Sequence, residues 1–142
     1  MMALPSNGHD EKQSTTIELE LKRDLHAPAI ARAAVIEHCD DFELTPSLCH
    51  TFVLLVSELV SNAVLHSRCP ANAPVLLTAA ITENAIHVTV TDAGPGFTPR
   101  PRKPEMVQGG YGLYLVDKEA RRWGVDRTTD GTRVWFELSR TA

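Results

Sequence analysis

Glu58-Leu59-Val60-Ser61-Asn62-Ala63-Val64-Leu65-His66 lies within a longer stretch, Thr45 to Ser67, whose reading decides the fold. Phe52, Leu55, Val56, Leu59, Val60, Ala63 and Val64 recur at three- and four-residue steps, which predicts one helix with one buried stripe. Thr45 suits the N-cap, and Pro46 suits the first helical position, where its missing N–H costs nothing. Glu58, Asn62 and His66 are four apart, so they stack along a single face at the edge of the stripe. A carboxylate, a carboxamide and an imidazole beside so much apolar surface need partners. Either they form a solvated edge with an i,i+4 hydrogen bond, or they face a ligand.

On the N-terminal side, residues 1–14 are polar and irregular and predict a disordered start; 15–142 then form one domain. Thr15 to Leu21 alternates, with Ile17, Leu19 and Leu21 on one face, as a half-buried strand does. Pro28 opens a helix to about Cys39, with Ile30, Ala33, Ala34 and Glu37 as its expected stripe. On the C-terminal side, Val75–Ile81 and Ala85–Thr91 read as two strands joined by Thr82-Glu83-Asn84. Asp92 shares the parity of Ile86, Val88 and Val90, so it is expected on the core face. Residues 93–110, rich in Pro and Gly, carry no period and predict a functional lid or binding loop. Tyr111 to Trp123 reads as a helix with Leu113, Val116, Ala120 and Trp123 inward and Gly124 as its C′ residue. Val125–Thr129 and Arg133–Leu138 read as a hairpin turning at Asp130-Gly131, with Thr132 facing the core. This order predicts an α+β two-layer sandwich, with about three helices covering one face of a mixed, mostly antiparallel sheet.

A chain of 142 residues has room for one such core. Its net charge of -4 argues against direct nucleic-acid binding, which needs a basic face. No apolar run approaches bilayer length and no secretory segment opens the chain, so no membrane role and a cytoplasmic location are expected. Three cysteines without metal spacing predict reduced thiols.

Three motifs follow in order: Glu58-x-x-x-Asn62 on the helix, Asp92-Ala-Gly94-Pro-Gly96, and Gly110-Tyr111-Gly112-Leu113. Each alone is a short pattern; together they resemble the nucleotide-binding boxes of the GHKL ATPase superfamily, whose members share the Bergerat fold. The resemblance covers nearly the whole chain and implies ATP and Mg²⁺ as cofactors. The chemistry of the residues agrees with it. Adenine is flat and apolar with an amine that needs an acceptor, and Asp92 on a core face supplies one. Thr132 is placed to hydrogen-bond that carboxylate or share a bridging water, and Gly94 and Gly96 let the backbone pass close to the base. Gly110, Tyr111, Gly112 and Leu113 open a helix, whose amides and positive end suit phosphates, although an ordinary loop-to-helix turn has the same residues. By resemblance Asn62 is the Mg²⁺ ligand and Glu58 the general base. His66, Arg100, Arg102 and Lys103 are candidate phosphate contacts; a histidine satisfied at a helix end and solvated arginines are the plainer readings.

Glu58-Leu-Val-x-Asn62-Ala-x-x-His66 is similar to the first box of stand-alone anti-sigma-factor serine/threonine kinases. That resemblance implies an ATP-binding regulator that holds a sigma factor and phosphorylates an anti-anti-sigma antagonist, with a homodimer common in the group. One residue departs from the pattern: Gln108 stands near the position of an arginine that contacts the γ-phosphate, and a neutral amide stabilises phosphoryl transfer less well. A non-catalytic ATP-dependent binding switch and a detached histidine-kinase catalytic domain are the alternatives.

Overall fold

The computed structural model describes residues 14–66, 73–92, 111–128 and 131–140, and side chains within them except those of residues 66, 111, 112, 127 and 128. Gly94, Gly96, Arg100, Arg102, Lys103, Gln108 and Gly110, the expected lid and the expected disordered start to residue 13 lie outside the described residues.

Alternation sets the strands. β1 (Thr15–Leu21), β2 (Val75–Ile81), β3 (Ala85–Asp92), β4 (Arg122–Thr128) and β5 (Gly131–Ser139) form one sheet in the order β1-β2-β3-β5-β4. All four pairings are antiparallel, so the expected mixed sheet is in fact antiparallel throughout its described strands. Every second residue points to one face, and the register lines these up in rows: Leu19, Leu77, Val90, Val134 and Val125, then Ile17, Ala79, Val88, Phe136 and Trp123. Most of these are buried, because helices cover this face.

α1 (Ala27–Asp41), α2 (Pro46–His66) and α3 (Tyr111–Glu119) supply that cover. Thr45 Oγ1 accepts the Leu48 N–H at 3.1 Å, capping α2 as its sequence predicts. Phe52, Leu55, Val56, Leu59, Val60 and Ala63 are buried, and α2 packs against the sheet, α1 and α3. By length and composition α2 is apolar enough to cross a membrane, contrary to the expectation that no stretch is. Its apolar side chains are spent instead on the core of this domain.

Three more expectations change. The buried stripe of α1 is Ala27, Ala31, Val35 and Cys39, while Ile30 and Ala33 face outward. Ala27 and Ala31, small and four residues apart, lie on the face of α1 that packs against α2 and β1. The third helix ends at Glu119, and Trp123 and Gly124 belong to β4. The turn is fixed by the Arg121 N–H donating to the Glu137 carbonyl at 2.8 Å and by Trp123 Nε1 donating to Asp117 Oδ1 at 2.8 Å. Gly124 is therefore no helix cap: it lies under the Trp135 indole, where a Cβ would come within 2.8 Å of Nε1. Trp135 also stacks on His87, with ring centroids 5.4 Å apart, on the face of the sheet away from the helices. Lastly, Cys39 and Cys49 form a disulfide joining the end of α1 to the start of α2 (Cα–Cα 5.8 Å), where reduced thiols are expected from spacing.

Candidate functional site

The sheet register puts Asp92 and Thr132 opposite one another, in an end row that runs Leu21, Val75, Asp92, Thr132. They are two of the three buried polar residues among those described, 8% and 1% exposed. Behind them the next row offers Val90 and Val134, both buried. Thr132 Oγ1 is buried with no hydrogen-bond partner among the described residues. An unpartnered hydroxyl in such a place costs free energy, so it marks a position that a ligand can satisfy.

Two sets of contacts establish which end of α2 overlies this row. Arg23, just past β1, donates from Nη1 to the Ala63 carbonyl at 2.5 Å and from Nε to the Ala73 carbonyl at 3.2 Å. The last turn of α2 therefore lies beside the Leu21–Val75 end of the sheet. At the opposite end Arg140 Nη2 donates to the Phe42 carbonyl at 3.0 Å, and a groove brings Thr45 and Leu48 of the first turn of α2 near Ala120 and Leu138. Asn62, in the turn beside Ala63, thus comes to the same end of the domain as Asp92 and Thr132, while the C-terminal end of α3 lies near the start of α2.

Glu58 sits one turn before Asn62, and both are half-buried. Burial holds the Glu58 carboxyl above its ordinary value. Leu113 is buried in the first turn of α3. The structure pairs Asp92 with Thr132 across β3 and β5 and places Glu58 and Asn62 on successive turns of α2 and Leu113 near the start of α3; for His66, Tyr111 and Gly112 only the backbone is described, and it is helical. Sequence reading gave Arg23 no part, and a charged residue after an amphipathic strand carries no signal that would have supplied one.

The donor set suits ATP. Asp92 and Thr132 offer an acceptor and a hydroxyl at the rim of an apolar face, as a base needs. Asn62 offers an amide oxygen of the kind a hard cation accepts, and N–H groups at the start of a helix such as α3 suit phosphate.

Known proteins resemble the chain in the same respect. A profile of the Histidine kinase-like ATPase domain family matches residues 12–138. The structure of the RsbU and RsbW domains of Rv1364c from Mycobacterium tuberculosis superposes with TM-score 0.70 at 20% identity, covering 90% of this chain and 34% of that one. A histidine kinase domain from the Erythrobacter litoralis EL346 blue-light activated histidine kinase gives TM-score 0.51 at 27% identity, covering 66% of this chain and 45% of that one. A second structure of that kinase gives 0.58 at 21% identity, covering 87% and 42%. The chain thus spans less than half the length of each of these. Among curated proteins, none matches by sequence.

Proposed function

The chain belongs to the Histidine kinase-like ATPase domain family, and from that premise we propose that it is an ATP- and Mg²⁺-dependent protein serine/threonine kinase of the anti-sigma-factor type. It acts in the cytoplasm, holds a sigma factor inactive and phosphorylates a small anti-anti-sigma antagonist. The observation that carries the nucleotide part is the Asp92–Thr132 pair, with the buried Thr132 hydroxyl lacking a partner among the described residues, at the end of the sheet beside the last turn of α2. Asp92 accepts the adenine amine, Thr132 gains the partner it lacks, and Asn62 offers its amide oxygen to the metal, which neutralises phosphate charge when bound. Glu58 takes the proton of the attacking serine hydroxyl as the γ-phosphoryl group passes to that oxygen and ADP leaves. The raised pKa of Glu58 supports this role by making it the more basic carboxylate.

The Gln108 position favours one alternative, a switch that binds ATP and a protein without transferring phosphate. Incubating the protein with γ-labelled ATP, Mg²⁺ and a purified antagonist separates the two. Label on an antagonist serine, lost in Glu58→Gln, supports the kinase; ATP binding with no label on the antagonist overturns it in favour of the switch. Label on a histidine overturns it in favour of a histidine-kinase catalytic domain.

A further inference from the structure

We propose that Arg23 is a positioning residue that sets the distance between the base end and the phosphate end of the site, an inference that rests on the nucleotide reading above. The Ala63 carbonyl it grips lies in the last described turn of α2. A cation there also complements the negative end of the helix. Ala63 directly follows Asn62, so the turn that Arg23 holds is the one carrying the metal-facing side chain. Its second acceptor, the Ala73 carbonyl, lies two residues before Val75, and Val75 is paired with Asp92 across β2 and β3.

One guanidinium therefore joins the Asn62 turn to the strand next to Asp92. Its donors sit in a rigid planar fork, so two bonds fix a separation and not merely a contact. Residues earlier in α2 need no such help: Leu55, Val56, Leu59 and Val60 are buried and locked by packing. Asn62 is half-buried, so packing holds it less firmly than those residues. ATP spans both ends of the site, whereas adenosine reaches only the base end, so loss of the clamp should separate the two ligands.

The test combines amide hydrogen exchange on the free protein with calorimetry, using Mg·ATP and adenosine as probes, on the wild type, Arg23→Ala and Arg23→Lys. In Arg23→Ala, exchange at residues 62–66 should quicken about tenfold while residues 52–56 stay protected, and Mg·ATP affinity should fall about tenfold with adenosine affinity unchanged. Arg23→Lys keeps the charge but loses the fork, and should fall between the two while remaining folded. Equal losses for adenosine and Mg·ATP overturn the positioning role, as does unchanged exchange at 62–66 in a wild type that binds Mg·ATP. A wild type that binds neither ligand overturns the nucleotide reading itself, and this role with it.

Discussion

Thr132→Val tests the site from an unusual direction, because the free protein and the complex should respond with opposite signs. Valine keeps the shape and volume of threonine and is well suited to a strand, so the change exchanges one hydroxyl for one methyl. The hydroxyl it removes is buried in a residue only 1% exposed and has no hydrogen-bond partner among the described residues. An unsatisfied buried polar group costs roughly 1–3 kcal/mol. Taking the lower figure, the free variant gains about 1 kcal/mol of stability. For a chain of 142 residues that raises the melting temperature by about 3 °C. With ATP bound, the same hydroxyl has found a partner, and its loss removes a hydrogen bond of about 1 kcal/mol, roughly a fivefold weaker Kd. Differential scanning calorimetry of the free proteins and titration calorimetry with Mg·ATP read the two effects separately. A variant less stable than the wild type would show that Thr132 is satisfied within the free fold. One that is stabilised yet binds ATP unchanged would remove Thr132 from the site.

Two other changes follow from the structure. Reducing Cys39–Cys49, or replacing both cysteines with serine, frees a loop closed over a separation of 10 residues. Loop entropy puts that at a little under ~3 kcal/mol and about 9 °C in melting temperature, read by thermal melts with and without reductant; equal melts would show that the bond adds nothing. Glu58, held above its ordinary pKa by burial, binds its proton more tightly in the folded state than unfolded. Its contribution to stability is therefore fully present below about pH 4.5 and is lost as pH rises through the folded value. The stability of the wild type relative to Glu58→Gln should decline across that window, while phosphoryl transfer rises through it, since only the carboxylate accepts a proton. A transfer rate flat across the window would take the role of base away from Glu58.

Where one physical rule governs an element, the sequence reading stands with little change. β1 has its expected ends because Ile17, Leu19 and Leu21 alternate on a half-buried strand, and α2 has its cap and stripe because a helical period kept up over 21 residues admits only one buried face. Asp92 and Thr132 were placed inward by parity alone, which strand geometry enforces. The misreadings occur where several phases compete. α1 is apolar around much of its circumference, so choosing Ala31 and Val35 over Ile30 and Ala33 depends on how near its neighbours approach, which no local pattern states. The period of Leu113, Val116 and Ala120 runs on into Trp123 by coincidence, and the chain leaves the helix because Gly124 must lie flat beneath Trp135 in the next hairpin. Cys39 and Cys49 meet because two helices fold back on each other, and spacing alone gave no sign of it. Arg23 escaped notice for the same reason: its partners are 40 and 50 residues away.

The central claim is that ATP is held between α2 and the sheet with its base on Asp92, and titration calorimetry of Mg·ATP into the wild type and Asp92→Asn tests it most directly. The account predicts saturable heat for the wild type and at least a tenfold weaker Kd for Asp92→Asn, whose amide presents a donor where the adenine amine needs an acceptor. Absence of heat with the wild type, or equal affinity in the variant, would contradict it.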